Sequence, residues 1–253
     1  MSSGKFSDLY PERRGAEESP GVLARATGAG HPRSIKTECE RNCVENIKEM
    51  PMVKHMISAL ESSGCEFDIT RNLQCDICSP GSGIEHAGGY DPAVNQVSSF
   101  LVHIIDIVIK CFTLQVFVCA NNANSFGFVH GALVRNLLQM FDVCVNKYDF
   151  NNAEHLACTE IRKANLANCN YMAFLQQKWA SFMVKKAHAD CVKNTAVDYL
   201  VKTKFVKEDV AKSAVNKVFD NCYNDLEPIG RRAFNAKDQE KAYQEKFLFG
   251  YFK

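Results

Sequence analysis

Twelve cysteines, at positions 39, 43, 65, 75, 78, 111, 119, 144, 158, 169, 191 and 222, are spread over a chain of 253 residues. Such a density is foreign to reducing compartments and commits the chain to oxidative folding or to metal binding. Crosslinks at these positions tie together segments far apart in sequence, so few topologies remain open. Two groups admit both outcomes. Cys39 and Cys43 are four apart, Cys75 and Cys78 three apart, and four thiolates so spaced can hold one zinc ion. Disulfides are the favoured expectation, because the other cysteines need partners too, although connectivity cannot be read from spacing. The candidate structural cysteines are Cys39, Cys43, Cys65, Cys75, Cys78, Cys119, Cys144, Cys158, Cys169, Cys191 and Cys222, with Cys111 set apart.

The amino terminus offers neither of two common routes to an oxidising compartment. It has no apolar core of the secretory type, and Asp8, Glu12, Glu17 and Glu18 are wrong for an acid-poor matrix-targeting peptide. The mitochondrial intermembrane space reconciles these facts, since it oxidises cysteines without either signal. A formal net charge of +1 gives no electrostatic footprint for nucleic acid. A hydrophobic share of 46% is enough for one sizeable core.

Residues 1–36 are rich in Gly, Ser, Pro and mixed charge and read as a disordered leader, leaving 37–253 as one domain. Apolar periodicity predicts helix over 37–62, interrupted at Pro51 and closed by Gly64. Residues 65–92 read as loops. Their glycine runs lack the Lys-Ser/Thr that phosphate cradling needs, so turns are expected. A strand is predicted at 116–119 and helices at 130–147, 154–167, 171–203 (broken) and 207–222. The last carries the stripe Val210, Ala214, Val215, Val218, Phe219, Cys222, with Glu208 and Asp209 in its first turn, where the helix dipole favours them. The terminal aromatic run Phe247, Phe249, Tyr251, Phe252 is expected to pack against the body rather than serve as a docking edge or membrane contact. The fold class is α+β, mainly helical.

Three separated blocks carry a further signal. Residues 133–142 read Leu-Val-Arg-Asn-Leu-Leu-Gln-Met-Phe-Asp. Residues 155–166 contain His155, Cys158, Glu160, Arg162 and Asn165. Residues 224–231 contain Asn224, Asp225, Glu227, Pro228, Gly230 and Arg231. In order and spacing, over roughly 37 to 250, they resemble the mitochondrial inner-membrane metalloprotease family that matures and helps assemble a subunit of the ATP synthase membrane sector. The resemblance implies a zincin-like metalloprotease domain in the intermembrane space, peripheral to the inner membrane. It also implies zinc in active members, and an ATP synthase membrane-sector subunit or its assembly factors as partners.

That family's helix reads His-Glu-Leu-Ile-His-Ala-Phe-Asp. Laid onto this chain, Arg135 stands for the first His, Asn136 for the Glu and Gln139 for the second His. The pattern works because residues four apart share a helical face, so two imidazoles converge on zinc while the Glu serves as base for the bound water. Arg135 has no acceptor and repels a dication. Asn136 is too weakly basic to take a proton from water. Gln139 offers only a carbonyl oxygen, suited to harder cations. The other histidines form no helical pair, and His155 and Glu160, five apart, read as hydrogen-bonded surface or cap residues. The expectation is a family member without an intact catalytic or metal site and without a cofactor there, keeping an assembly-chaperone or client-binding role. An active zinc metalloendopeptidase and a zinc-stabilised interaction module on the Cys39, Cys43, Cys75, Cys78 set are the alternatives.

Residues 97–115 depart from the family pattern. Removing them joins Gln96 to Val116 and restores the family's spacing ahead of Cys119, Asn121 and Asn122. A membrane span is disfavoured by His103, Asp106 and Lys110, since a central Asp or Lys costs roughly 2.5–3.5 kcal/mol on insertion. An added buried strand pair is the second reading. The preferred reading is a retained intron, because both edges can be encoded by splice-site sequences.

Overall fold

Prolines begin the first two helices, at the position where a missing N–H costs nothing. In the computed structural model α1 spans Pro32–Glu49 and α2 spans Pro51–Ser62. The structure describes residues 32–65, 67–76, 89–90, 116–120, 123, 125–169, 181–204, 206–233 and 235–252. The 97–115 segment, Cys78, Cys111 and residues 1–31 of the expected leader lie outside these. The first helix therefore starts five residues inside the stretch read as leader. Gly64, at φ +83°, closes α2 as expected, with the Cys65 N–H donating to the Leu60 carbonyl at 2.9 Å.

The chain divides into two compact units, residues 1–50 with 66–136 and residues 51–65 with 137–253. In the first, a short helix α3 (Ile69–Asn72) leads into β1 (Leu73–Asp76), which pairs in parallel with β3 (Val116–Cys119). The two-residue β2 (Gly89–Tyr90) pairs antiparallel on the other side of β3, giving the order β1-β3-β2. The strand predicted at 116–119 stands with those bounds. A disulfide, Cys39–Cys75, fastens α1 to β1. Asn46 reaches from α1 to the carbonyl of Phe126 at 3.3 Å.

The second unit is helical. After helix α4 (Phe126–Val145) come α5 (Ala153–Lys163), a π turn (Ala164–Asn168), α6 (Ser181–Lys204), α7 (Glu208–Asn224), α8 (Ala236–Gln244) and a 3-10 turn (Lys246–Phe249). Leu156 and Ile161 of α5, Val192, Ala196 and Leu200 of α6, and Ala211, Val215 and Phe219 of α7 form one buried core. Cys158–Cys222 joins α5 to α7, Cys169–Cys191 joins the end of the π turn to α6, and Cys65–Cys144 joins the end of α2 to that of α4. On α7 the predicted stripe is buried at Ala214, Val215, Phe219 and Cys222 and departs at its first position. Val210 is exposed, and Ala211 takes its place in the core. Among the described residues no helix is long and apolar enough to cross a membrane.

The terminal aromatic run corrects an expectation. Tyr251 is buried and donates to Glu227 at 2.9 Å, but Phe247, Leu248, Phe249 and Phe252 are between 47% and 78% exposed. A 3-10 turn cannot point three consecutive apolar side chains to one side, since its residues advance by a third of a turn each.

His55, fully buried on α2, donates from Nε2 to the Pro228 carbonyl at 3.0 Å. Burial pushes its pKa down from 6.5 to about 4, against the pull of that carbonyl. Between these values the unfolded chain takes up a proton that the folded histidine refuses. Stability should therefore fall as pH drops from 6.5 to about 4, by roughly 3 kcal/mol. Urea titrations of the wild type and His55→Gln across this range should give a flatter curve for the variant, and parallel curves would refute the assignment.

Candidate functional site

Helix α4 carries the positions that the sequence singled out. Ser125 caps it, its Oγ accepting from the Phe128 N–H at 3.2 Å. Val129, Leu133, Leu137, Leu138, Met140 and Phe141 are almost wholly buried, and the helix is buried all round from Ala132 to Val143. A helix enclosed in this way must be apolar, or must satisfy its polar side chains internally. Arg135, Asn136 and Gln139 are 6%, 2% and 1% exposed. Arg135 and Asn136 both have partners. They belong to the first unit and Gln139 to the second.

In the second unit the end of α4 faces α5, whose start is fixed by Asn152, its side chain accepting from the Glu154 N–H. Thr159, Glu160, Arg162 and Lys163 are all nearly buried, an unusual run of polar groups in a helix interior. They form two networks. In one, the Lys163 ammonium donates to Gln139 Oε1 at 2.9 Å and to Glu160 Oε1 at 2.7 Å. Because Gln139 Oε1 accepts that bond, its Nε2 is left as a buried donor without a partner among the described residues. In the other, Asp142 accepts from the Thr159 hydroxyl at 2.9 Å and from Arg162 Nη1, while Arg162 Nη2 donates to the Glu227 carbonyl. Burial pushes the Asp142 carboxyl up to about 6, against the opposing pull of Arg162 and Thr159.

The block at 224–231 thus supports α5. Asp225 lies 3.4 Å from Arg162 Nε, Glu227 offers its carbonyl, and Gly230 takes a left-handed φ of +74° beneath the ring of Phe249, leaving no room for a side chain. Asn165, in the π turn, donates to the Tyr223 carbonyl at 2.8 Å and accepts from Arg232 Nε at 2.9 Å. His155, read as a cap or surface residue, accepts from the Asp149 N–H at 3.1 Å. Glu160 does not fit that reading. It is an interior carboxylate held by Lys163, to which sequence reasoning assigned no role. The signal available was a Glu-Lys pair three apart on a helix, which ordinarily marks a solvated face.

The residues do not fit the zinc ion that the motif's ancestry implies. The first ligand position is a permanent cation, the base position an amide, and the second ligand position an amide whose oxygen is committed to an ammonium. The cysteine set fares differently. The sulfurs of Cys39, Cys43 and Cys75 are buried and lie within 4.8 Å of one another. However, Cys39 and Cys75 are joined, and Cys43 is a free thiol whose sulfur is 3.9 Å from that of Cys75. Burial, aided by Glu40, pushes the Cys43 thiol up to about 12. Among the described members of the set only Cys43 offers a thiol, and it departs from the expectation that it would be bridged. Cys119 is disulfide-bonded.

Comparison with known proteins finds relatives that match most of the chain. The chain is 29% identical over 239 residues to the mitochondrial inner membrane protease ATP23 homolog of Xenopus laevis, covering 94% of this chain and 89% of that one. It is 28% identical to the Homo sapiens protein of the same name, covering 82% and 75%, and 28% to the mitochondrial inner membrane protease atp23 of Botryotinia fuckeliana, covering 79% and 77%. No solved structure matches the chain. A profile of the peptidase M76 family matches residues 37–230, which takes in helix α4, the α5 networks and the Glu227–Gly230 support, and the chain belongs to that family.

Proposed function

We propose that this protein is a proteolytically inactive member of the family. It would act in the mitochondrial intermembrane space as a client-binding or assembly factor for an ATP synthase membrane-sector subunit. The observation that carries the inactive reading is the interior of the second unit. At the second ligand position Gln139 faces an ammonium, not a vacant coordination site, and the base position holds Asn136. The polar side chains around it are nevertheless buried and engaged with one another, as expected of a chain kept for its surface rather than its chemistry. Peripheral contact with the inner membrane is supported by the exposed side chains of Phe247, Leu248, Phe249 and Phe252, because exposed aromatic side chains favour the headgroup boundary.

The test uses the purified oxidised protein and a precursor peptide from a membrane-sector subunit. The peptide should remain intact by mass spectrometry, and the protein should carry no stoichiometric zinc. Cleavage that a chelator abolishes would overturn the proposal in favour of an active zinc metalloendopeptidase. Zinc bound without cleavage, and lost on alkylating cysteines, would point to the interaction-module reading instead.

A further inference from the structure

We propose that the ammonium of Lys163 holds the place of the metal ion, as a built-in cation that keeps the former metal position closed. The inference deepens the inactive reading and rests on Gln139 as successor to the second metal-binding imidazole. Lys163 is 5% exposed and Glu160 2% exposed. A lysine carried this far inside is tolerated only against an opposite charge with its hydrogen bonds made. Both conditions are met by Glu160 at 2.7 Å and Gln139 at 2.9 Å.

The same position would serve a metal ion bound through residue 139. A cation bound by that side chain and by the Glu160 carboxylate would fall at or beside Nζ, because both oxygens already converge on it. The ammonium answers the buried carboxylate with a single charge, and its contacts of 2.7 and 2.9 Å are hydrogen-bond lengths, wider than the roughly 2.0–2.2 Å of zinc–oxygen bonds. The two cations exclude each other. Even at the dielectric constant of bulk water, a dication about 3 Å from an ammonium is disfavoured roughly a hundredfold. Loss of the two imidazoles is thus only half of the change. Restoring the helix motif while Lys163 remains should not restore the metal.

Four oxidised proteins decide the matter: wild type, Lys163→Met, the triple variant Arg135→His, Asn136→Glu, Gln139→His, and the triple variant carrying Lys163→Met as well. Zinc binding is read by calorimetry and by the zinc-dependent shift of the melting temperature, neither of which requires activity. The quadruple variant should bind zinc and melt higher with it, and the triple variant should bind roughly a hundredfold more weakly. Lys163→Met alone should melt lower than wild type, because Glu160 loses the ammonium 2.7 Å from its carboxylate. Adding Glu160→Gln should recover much of that loss and secures a folded reference if the single variant does not fold. Equal zinc affinity in the triple and quadruple variants would overturn the proposal, as would a Lys163→Met protein as stable as wild type. Zinc-dependent cleavage by the wild type would instead defeat the inactive reading, so the two failures are distinguishable.

Discussion

Replacing Arg162 by alanine should destabilise the protein by about 3–5 kcal/mol, the usual cost of leaving one half of a buried ion pair behind. For a chain of this size that corresponds to a melting temperature lower by roughly 10 °C. Asp142 lies wholly inside the second unit, and Arg162 supplies it with the only full positive charge in direct hydrogen-bond contact among the described residues. The guanidinium also fastens the 224–231 turn through the Glu227 carbonyl and Asp225. The loss should depend on pH in a definite sense. Burial holds the Asp142 carboxyl at about 6 even with Arg162 present, and without it the carboxyl rises further. The variant should therefore be most impaired above neutrality, where Asp142 must ionise unpaired, and less so in mild acid, where it is neutral. Urea unfolding at pH 8 and pH 5 measures both. The double variant Arg162→Met, Asp142→Leu should recover a large part of the loss, because a neutral packed pair needs no compensation. A single-variant loss below 1 kcal/mol would show that the pair is not structural.

Reduction should unfold the protein outright. The four described bridges close segments separated by 36, 79, 64 and 22 residues, and on chain-entropy grounds each contributes about 3–4.5 kcal/mol. Together they exceed the 5–15 kcal/mol by which whole domains are ordinarily stable. Far-ultraviolet circular dichroism with and without a dithiol reductant at 25 °C should show loss of helix on reduction. Removing Cys158–Cys222 alone, by Cys158→Ala with Cys222→Ala, should lower stability without abolishing folding, since the α5–α7 core persists. A reduced protein with an unchanged melting curve would mean that packing alone holds the helices.

Much of the local structure was legible from residue order. Pro51 and Gly64 bracketed α2 because ring and left-handed constraints act within a few residues. The strand at 116–119 stood out through its unbroken apolar run. The helix predicted from residue 130 begins four residues earlier, because its first two turns hold Gly127 and Gly131 and show little periodicity. The interior of α5 was not legible. Thr159, Glu160, Arg162 and Lys163 spell a solvated helix, and only tertiary placement against α4 turns them inward. The pairing of cysteines is hidden for the same reason. Cys39 and Cys43 share a face of α1 and both approach Cys75, so spacing could not say which would bond. The three motif substitutions were plain in sequence, whereas the cation that accompanies them depended on a contact between residues 24 apart.

Cys43 gives the first unit a built-in clock. A thiol that is both enclosed and held protonated reacts with an alkylating reagent only when its surroundings open, so its labelling in the native state counts opening events one at a time. At low reagent the rate reports how often the open form is populated, and at high reagent it reports how fast opening occurs. The neighbouring Cys39–Cys75 bridge sits on the same helix and strand, so the motion that exposes Cys43 must occur with that tether intact. What is timed is therefore a local fluctuation of α1 against β1, separable from global unfolding by its weak response to denaturant.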